Sequence, residues 1–219
     1  MSIKNNLLQI LENLPKKVSL VAVSKTKSNS EIMEAYEAGQ RIFGENKIQE
    51  MVRKWGELPK DIEWHMIGHV QTNKVKYMAE FVTLIHGVDS LKLLKEINKQ
   101  ALKHNRKINC LLQVHIAQEP SKFGLSEKEL FELINDEVFE TLQNVSIQGL
   151  MGMASFTDDK VRIQSEFSYL KSIYDKLKNN MPQLNVLSMG MSGDYKIAIE
   201  EGSTMVRIGS SIFGMRNYP

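Results

Sequence analysis

The stretch VSLVAVSKTKSNSEI, residues 18–32, contains the structural unit from which the fold follows. Its apolar, β-branched first half predicts a buried strand. After a short polar loop, Ser28 and Glu31 have the spacing of a capping box, which predicts the start of a helix. Lys25 stands between the two, where the strand ends. Lysine is a costly residue to place at the edge of a core, so its position calls for an explanation.

The same order of strand, loop and helix recurs along the chain. Eight short apolar runs predict strands at 18–24, 41–45, 63–68, 83–89, 108–116, 145–154, 186–192 and 204–209. Amphipathic segments separate these runs, and residues 3–14 predict an additional helix before the first strand. Eight such units without a break in composition predict an α/β protein, a single (β/α)8 TIM-type barrel that forms one domain over residues 1–219. A doubly wound open sheet is the alternative, since periodicity alone does not show closure.

Composition and charge exclude several classes of protein. Hydrophobic residues make up 42% and charged residues 25% of the 219 residues, and the net charge is +2. So small a charge gives no reason to expect nucleic acid or an anionic membrane as a partner. No apolar run approaches the roughly 18 residues of a membrane span, and the N-terminus lacks the pattern of a signal peptide. The single cysteine, Cys110, excludes a disulfide within the chain and favours the cytoplasm.

The loops after the last two strands are rich in small residues. In a barrel of this kind, a phosphate often lies in the loops after strands seven and eight. Ser192 and Gly193 are in the first loop, and Gly209 and Ser210 are in the second. Small residues let backbone N–H groups approach an anion, the serines add hydroxyl donors, and Arg207 brings a cation nearby. A tight strand-to-helix turn explains either loop alone, but two adjacent loops favour a phosphate site.

Lys25 supplies an amine at the same rim. With a period of two, Val21, Val23 and Lys25 share one strand face. If that face points into the barrel, desolvation lowers the pKa of the amine and favours its neutral form, which can form a Schiff base with an aldehyde. A lysine that extends into solvent is the alternative. An amine and a phosphate site on one rim predict a ligand with an aldehyde and a phosphate, and pyridoxal 5′-phosphate (PLP) is such a ligand.

Other polar residues lie near the predicted rim. Asn46 follows the second strand, where its side chain either caps the next helix, with Gln49 as its partner, or contacts the ligand. His65 lines the barrel mouth or packs there. His65 and His69 are four residues apart, but the chain changes from strand to helix between them, and we expect no metal site. Lys122 follows the fifth strand, and a solvated role is favoured for it.

Five motifs resemble one known family. They are LVAVSKTK, FGENKIQE, WHMIGHVQTNK, EPSKFGL and LSMGMSGDYKIAIEEGSTMVRIGSSIFG, and in this order they strongly resemble the pyridoxal phosphate homeostasis protein family. These proteins are single-domain relatives of the N-terminal barrel of bacterial alanine racemase. The resemblance covers residues 18–214 and implies a barrel in which Lys25 holds PLP as a Schiff base. It also implies cofactor contacts from Asn46, His65, Ser192, Gly193, Arg207, Gly209 and Ser210, with Arg207 facing the pyridine nitrogen.

Two positions depart from the family's pattern. Ser28 stands where many members have proline, which affects only the stiffness of the loop. Lys47 stands where many members have tyrosine, so an aromatic contact from that position is not expected here. Neither departure bears on the assignment of Lys25.

The resemblance and the chemistry together predict a PLP carrier without catalytic residues. An arginine beside the pyridine nitrogen disfavours the pyridinium form, so the ring becomes a weaker electron sink. Racemisation needs a base on each face of the substrate carbon. In the racemases a tyrosine from a second domain supplies one of them, and this chain ends at Pro219 without such a domain. We therefore expect a monomer, with PLP-dependent apoenzymes as candidate recipients of the cofactor.

Two alternatives stay open at this point. The first is a PLP-dependent amino-acid racemase of low activity. The second is a barrel that binds another phosphorylated metabolite, in which Lys25 takes no part in the chemistry.

Overall fold

Eight parallel strands close into a barrel in sequence order, and the last strand pairs with the first. The structure is a computed structural model that describes residues 2–119 and 123–215. The strands are β1 (Ser19–Val23), β2 (Ile42–Glu45), β3 (Glu63–Met66), β4 (Leu84–Val88), β5 (Ile108–Gln113), β6 (Val145–Met151), β7 (Val186–Met191) and β8 (Met205–Ile208). The predicted TIM-type barrel is confirmed, and the open sheet is wrong. All eight predicted strands are present, and they differ from the prediction only at their ends.

Helices follow most of the strands and surround the barrel. They are α1 (Ile3–Asn13), α2 (Asn29–Glu37), α3 (Ile48–Glu57), α4 (Leu91–Lys103), α5 (Glu127–Ile134), α6 (Glu137–Glu140), α7 (Lys160–Asn180), α8 (Tyr195–Glu200) and α9 (Ser210–Phe213), with a 3₁₀ helix at Thr72–Tyr77. The additional N-terminal helix is therefore confirmed as α1. In the part of the chain that the structure describes, no helix combines the length and the apolar character that a membrane span requires.

Local sequence signals set the boundaries of α2. The Ser28 side chain accepts a hydrogen bond from the backbone N–H of Glu31, and the Glu31 carboxylate accepts one from the backbone N–H of Ser28 at 2.8 Å. This reciprocal pair is the predicted capping box, and it satisfies two N–H groups that the first turn of a helix leaves without a partner. The helix ends just before Gly39, whose φ of +103° is one that glycine adopts at little cost.

The strands divide their side chains between two apolar layers. Inward-facing residues fill the barrel, where Val21, Leu111 and Met151 belong to one small cluster. Outward-facing residues such as Ala22 and Phe43 pack against the helices in the larger core. Because side chains alternate along a strand, this arrangement places the inward face of β1 under the mouth of the barrel.

At Gly149 of β6 there is no room for a side chain beside β7. A Cβ atom on Gly149 would lie 1.7 Å from the carbonyl oxygen of Val186, its partner in the ladder. We expect Gly149→Ala to lower the free energy of unfolding by more than about 3 kcal/mol, because backbone rather than a flexible side chain must move. The matched control is Gly56→Ala in α3, where a Cβ would meet nothing within 4 Å. That variant is expected to be more stable by about 0.5–1 kcal/mol, and equal effects of the two substitutions in urea denaturation would contradict the packing described here.

Candidate functional site

A cavity of about 610 Å³ opens at the carboxyl ends of the strands. This volume lies within the roughly 300–1,000 Å³ of small-molecule sites. Seven of the eight predicted site residues line it, and they are Lys25, Asn46, Ser192, Gly193, Arg207, Gly209 and Ser210. The structure therefore brings together residues from the ends of β1, β2, β7 and β8 that are far apart in the sequence.

Two lysines from the loop after β1 lie on the cavity wall. Lys25 is half-buried and continues the inward face of Val21 and Val23. Lys27 also lines the cavity, and its amine donates hydrogen bonds to Glu31 Oε1 at 3.1 Å and to the carbonyl oxygen of Phe213 at 3.0 Å. Lys27 thereby ties the β1 loop to α9, so the wall at Lys25 is anchored to the last helix of the barrel.

The loops after β7 and β8 meet at the same cavity. The backbone N–H of Gly209 donates to Ser192 Oγ at 3.2 Å, which joins the two loops directly. A Cβ atom on Gly209 would approach both Cβ and the carbonyl oxygen of Val23 at 3.2 Å, so a larger residue would push against β1. A Cβ atom on Gly193 would meet nothing within 4 Å. The two loops therefore form one continuous glycine- and serine-rich wall.

Arg207 is a buried cation beside the cavity. Its Nη1 donates to Ser188 Oγ at 2.6 Å, and its Nη2 donates to the carbonyl oxygen of Gly152 at 3.1 Å. Only 4% of the residue is exposed, and burial lowers the pKa of the guanidinium to about 10. Arg207 consequently remains charged at neutral pH, in a position fixed by β6 and β7.

His65 lies in the barrel interior and not on the cavity wall. Its Nδ1 is 3.1 Å from His86 Nε2, and His86 Nδ1 is 3.1 Å from Ser188 Oγ. The next inward-facing position after His65 is Ile67, which lines the cavity, so the histidine is one layer too deep. Of the two roles expected for His65, the structure favours packing over lining the barrel mouth, and a contact between His65 and the cofactor stays a prediction.

Arg207 fixes one donor of this interior chain. An arginine only donates, so the Ser188 hydroxyl accepts from Arg207. Because a hydroxyl has a second lone pair as well as a hydrogen, the contacts from Ser188 to His86 and from His86 to His65 fit either tautomer of His86. Burial lowers the pKa of His65 to about 3 and that of His86 well below its usual value, so both rings are neutral. His86 and Ser188 were not predicted to belong to the site, although each is a polar residue within an otherwise apolar strand.

Asn46 lines the cavity and does not cap α3. The N-cap residue of that helix is Lys47, and no side chain makes the capping hydrogen bond. The cap interpretation of Asn46 is therefore wrong, and its position on the cavity wall supports the ligand interpretation. Its backbone also lies against Gly68, where a Cβ would come within 2.4 Å of the Asn46 carbonyl oxygen. Lys122 lies outside the described residues.

His65 and His69 do not face a common metal position. His69 is partly exposed, with Nδ1 3.4 Å from Asp89 Oδ2, and its ring stacks on Phe123. His65 is buried against His86. Within residues 2–119 and 123–215, no group of three or more histidine, cysteine, aspartate or glutamate residues is arranged to hold a metal ion.

Comparison with known proteins identifies the family to which the chain belongs. The model of the family described as alanine racemase, N-terminal domain, matches residues 1–217. The pyridoxal phosphate homeostasis protein of Vibrio alginolyticus is 43% identical over 209 residues, which cover 93% of this chain and 89% of that protein. The protein of the same name from Pasteurella multocida is 38% identical over 233 residues, which cover 100% of this chain and 99% of that one. The chain therefore belongs to the pyridoxal phosphate homeostasis protein family.

A solved structure with a similar sequence carries the cofactor. PipY of Synechococcus elongatus PCC7942 with PLP bound has a TM-score of 0.89 and 36% sequence identity to this chain. The match covers 97% of this chain and 100% of that one. The same protein without PLP has a TM-score of 0.91 over the same coverage.

Proposed function

We propose that this protein is a PLP carrier of one domain, residues 1–219, which takes part in intracellular PLP homeostasis. In this proposal Lys25 holds PLP as a Schiff base, and the loops after β7 and β8 hold its phosphate. The observation that carries the proposal is that Lys25, both loops and Arg207 line one cavity of about 610 Å³. The similarity to PipY, which was solved with PLP bound, supports the same ligand.

The residues present fit each chemical part of the cofactor. Lys25 would hold the cofactor at its aldehyde group, since a neutral amine and an aldehyde condense to a C=N bond with loss of water. At the other loops, the hydroxyls of Ser192 and Ser210 and the backbone at Gly193 and Gly209 offer donors to a phosphate. Asn46 adds a polar side chain to the wall.

Arg207 favours a carrier over an enzyme. PLP supplies an electron sink when its ring nitrogen is protonated, and a carboxylate partner favours that state. Arg207 is held by Ser188 and Gly152, remains positively charged and cannot accept a hydrogen bond. It therefore disfavours a proton on a pyridine nitrogen placed beside it, which would make the bound cofactor a weaker electron sink for carbanion chemistry.

A spectroscopic titration tests the proposed function. When PLP is added to the purified protein, we expect an absorption band at about 420 nm that saturates at one PLP per chain and disappears on borohydride treatment. Pyridoxine 5′-phosphate lacks the aldehyde and should compete for the site without producing the band. No band at saturating PLP would contradict the Schiff base and favour a different phosphorylated ligand.

A racemase of low activity is the second candidate, because the chain shares the barrel of the alanine racemase N-terminal domain family. The PLP-loaded protein should be incubated with L-alanine and with D-alanine, and the chirality of the product measured. We expect no turnover above that of free PLP, and steady turnover above it would contradict the carrier. Transfer of PLP to apoenzymes, the monomeric state and the cytoplasmic location stay predictions.

A further inference from the structure

We propose that Glu50 and Lys54 of α3 are positioning residues that fix the direction of the Lys25 side chain by holding the two peptide groups on either side of it. This inference rests on the proposed function, because it assigns to the pair a role in Schiff-base formation. Neither Glu50 nor Lys54 is among the described residues that line the cavity, so both act through the backbone of the β1 loop.

One ion pair contacts both peptide groups that flank Lys25. The Lys54 amine donates to the carbonyl oxygen of Ser24 at 2.8 Å. The Glu50 Oε1 atom accepts from the backbone N–H of Thr26 at 2.7 Å. Lys54 and Glu50 are themselves bonded at 2.7 Å, so the two peptide groups are held by one connected unit.

The Thr26 backbone needs such a contact. Its φ is +66°, in the left-handed region that a β-branched residue rarely adopts. Backbone strain of this kind persists only where surrounding contacts hold it, and the bond from Thr26 N–H to Glu50 is such a contact. Without Glu50, we expect Thr26 to relax towards ordinary backbone angles, and the Cα–Cβ bond of Lys25 to turn away from the cavity.

Burial makes this unit rigid. The side chains of Lys54 and Glu45 have no exposed surface, and the two are bonded at 2.8 Å. Glu45 Oε1 also accepts from Ser24 Oγ at 2.6 Å. Ser24 is thus held through both its side chain and its carbonyl oxygen, immediately before Lys25.

Among the described residues, no hydrogen bond joins Glu50 or Lys54 to the phosphate end of the cavity. Ser192 and Gly209 belong to the loops after β7 and β8, which are joined by their own hydrogen bond. Loss of the Glu50 contact should therefore weaken Schiff-base formation and leave the binding of the phosphate unchanged.

The test compares Glu50→Ala with Glu57→Ala, which removes the same charge from a partly exposed position of the same helix. For Glu50→Ala we expect roughly tenfold weaker Schiff-base formation, measured from the absorption band. The cost of a strained backbone residue such as Thr26 corresponds to about a tenfold change in an equilibrium constant. The affinity for pyridoxine 5′-phosphate should stay the same. For Glu57→Ala both measurements should match the wild type.

Two further variants separate positioning from a general loss of structure. Glu50→Gln keeps an oxygen acceptor for the Thr26 amide and should retain most Schiff-base formation. In Glu50→Ala/Thr26→Asn, asparagine adopts the left-handed region more readily than threonine and should recover part of the loss. An unchanged Schiff-base constant in Glu50→Ala, or an equal loss of affinity for both ligands, would overturn the inference.

Hydrogen exchange at the Thr26 amide of the unmodified, PLP-free protein gives an answer that does not depend on any variant being folded. We expect slow exchange, since this N–H is bonded to Glu50. Exchange as fast as in an exposed loop would overturn the inference. If instead this amide is protected but the wild type forms no Schiff base, the proposed function is contradicted. The hydrogen bonds from Glu50 and Lys54 to the β1 loop are then still confirmed.

Discussion

Replacement of Lys25 by alanine is expected to abolish covalent PLP binding. Lys25 lies on the cavity wall that also contains the two loops proposed to bind the phosphate, so its loss removes the amine and leaves the remaining contacts in place. We expect the absorption band to vanish and the affinity for PLP to fall by roughly 100-fold, equivalent to about 2.7 kcal/mol. The affinity for pyridoxine 5′-phosphate, which has no aldehyde, should change little.

Variants of two other lysines test whether the loss of the band is specific to Lys25. Lys47 is exposed in the loop between β2 and α3, and Lys47→Ala should keep the full band. Lys27 lines the same cavity, but its amine bridges Glu31 and Phe213. A band that survives in Lys25→Ala but is lost in Lys27→Ala would contradict the assignment of the Schiff base.

Replacement of Lys54 by methionine is expected to lower the stability of the protein strongly. Lys54 and Glu45 form an ion pair without exposed side-chain surface, and Glu45 Oε2 already has no hydrogen-bond partner. Removing one partner from such a pair leaves a buried charge and costs about 3–5 kcal/mol in the free energy of unfolding. Urea denaturation would measure the loss. The matched control is Arg53→Met, which breaks a surface ion pair and should cost less than about 1 kcal/mol.

The loss in Lys54→Met should depend on pH. Burial raises the pKa of Glu45 above its ordinary value even beside Lys54, and without that cation it should rise further. A carboxyl whose pKa is higher in the folded than in the unfolded protein adds stability below the unfolded value, and that stability is lost as pH rises. The loss of unfolding free energy relative to the wild type should therefore be larger at about pH 8 than at about pH 5. The double variant Glu45→Gln/Lys54→Met removes both charges and should recover much of the loss, and an equally unstable double variant would contradict the buried-charge explanation.

The barrel and most of the site could be predicted because they follow from local patterns and one topological rule. Apolar runs and capping residues such as Ser28 define the strands and helices. Parallel strands in a closed barrel bring their carboxyl ends together, so Lys25, Asn46, Gly193 and Gly209 were expected to meet, and they line one cavity.

The features that could not be predicted depend on contacts between side chains of different strands and helices. Whether His65 lines the barrel mouth or packs could not be decided, because the strand pattern gives its face but not its depth in the barrel. Lys54 follows Ile48 and Met51 at spacings of three, on the buried face of α3. The sequence therefore shows an apolar stripe that contains a charge, but its partner Glu45, on another element, becomes evident only in the structure.

The central claim is that one PLP molecule extends from Lys25 to the loops after β7 and β8. A crystal structure of the protein grown with PLP tests it most directly. The account predicts density continuous from the Lys25 nitrogen to the cofactor, with the phosphate between Ser192–Gly193 and Gly209–Ser210 and the ring nitrogen facing Arg207. PLP bound with its phosphate away from both loops, or joined to a different lysine, would contradict the account.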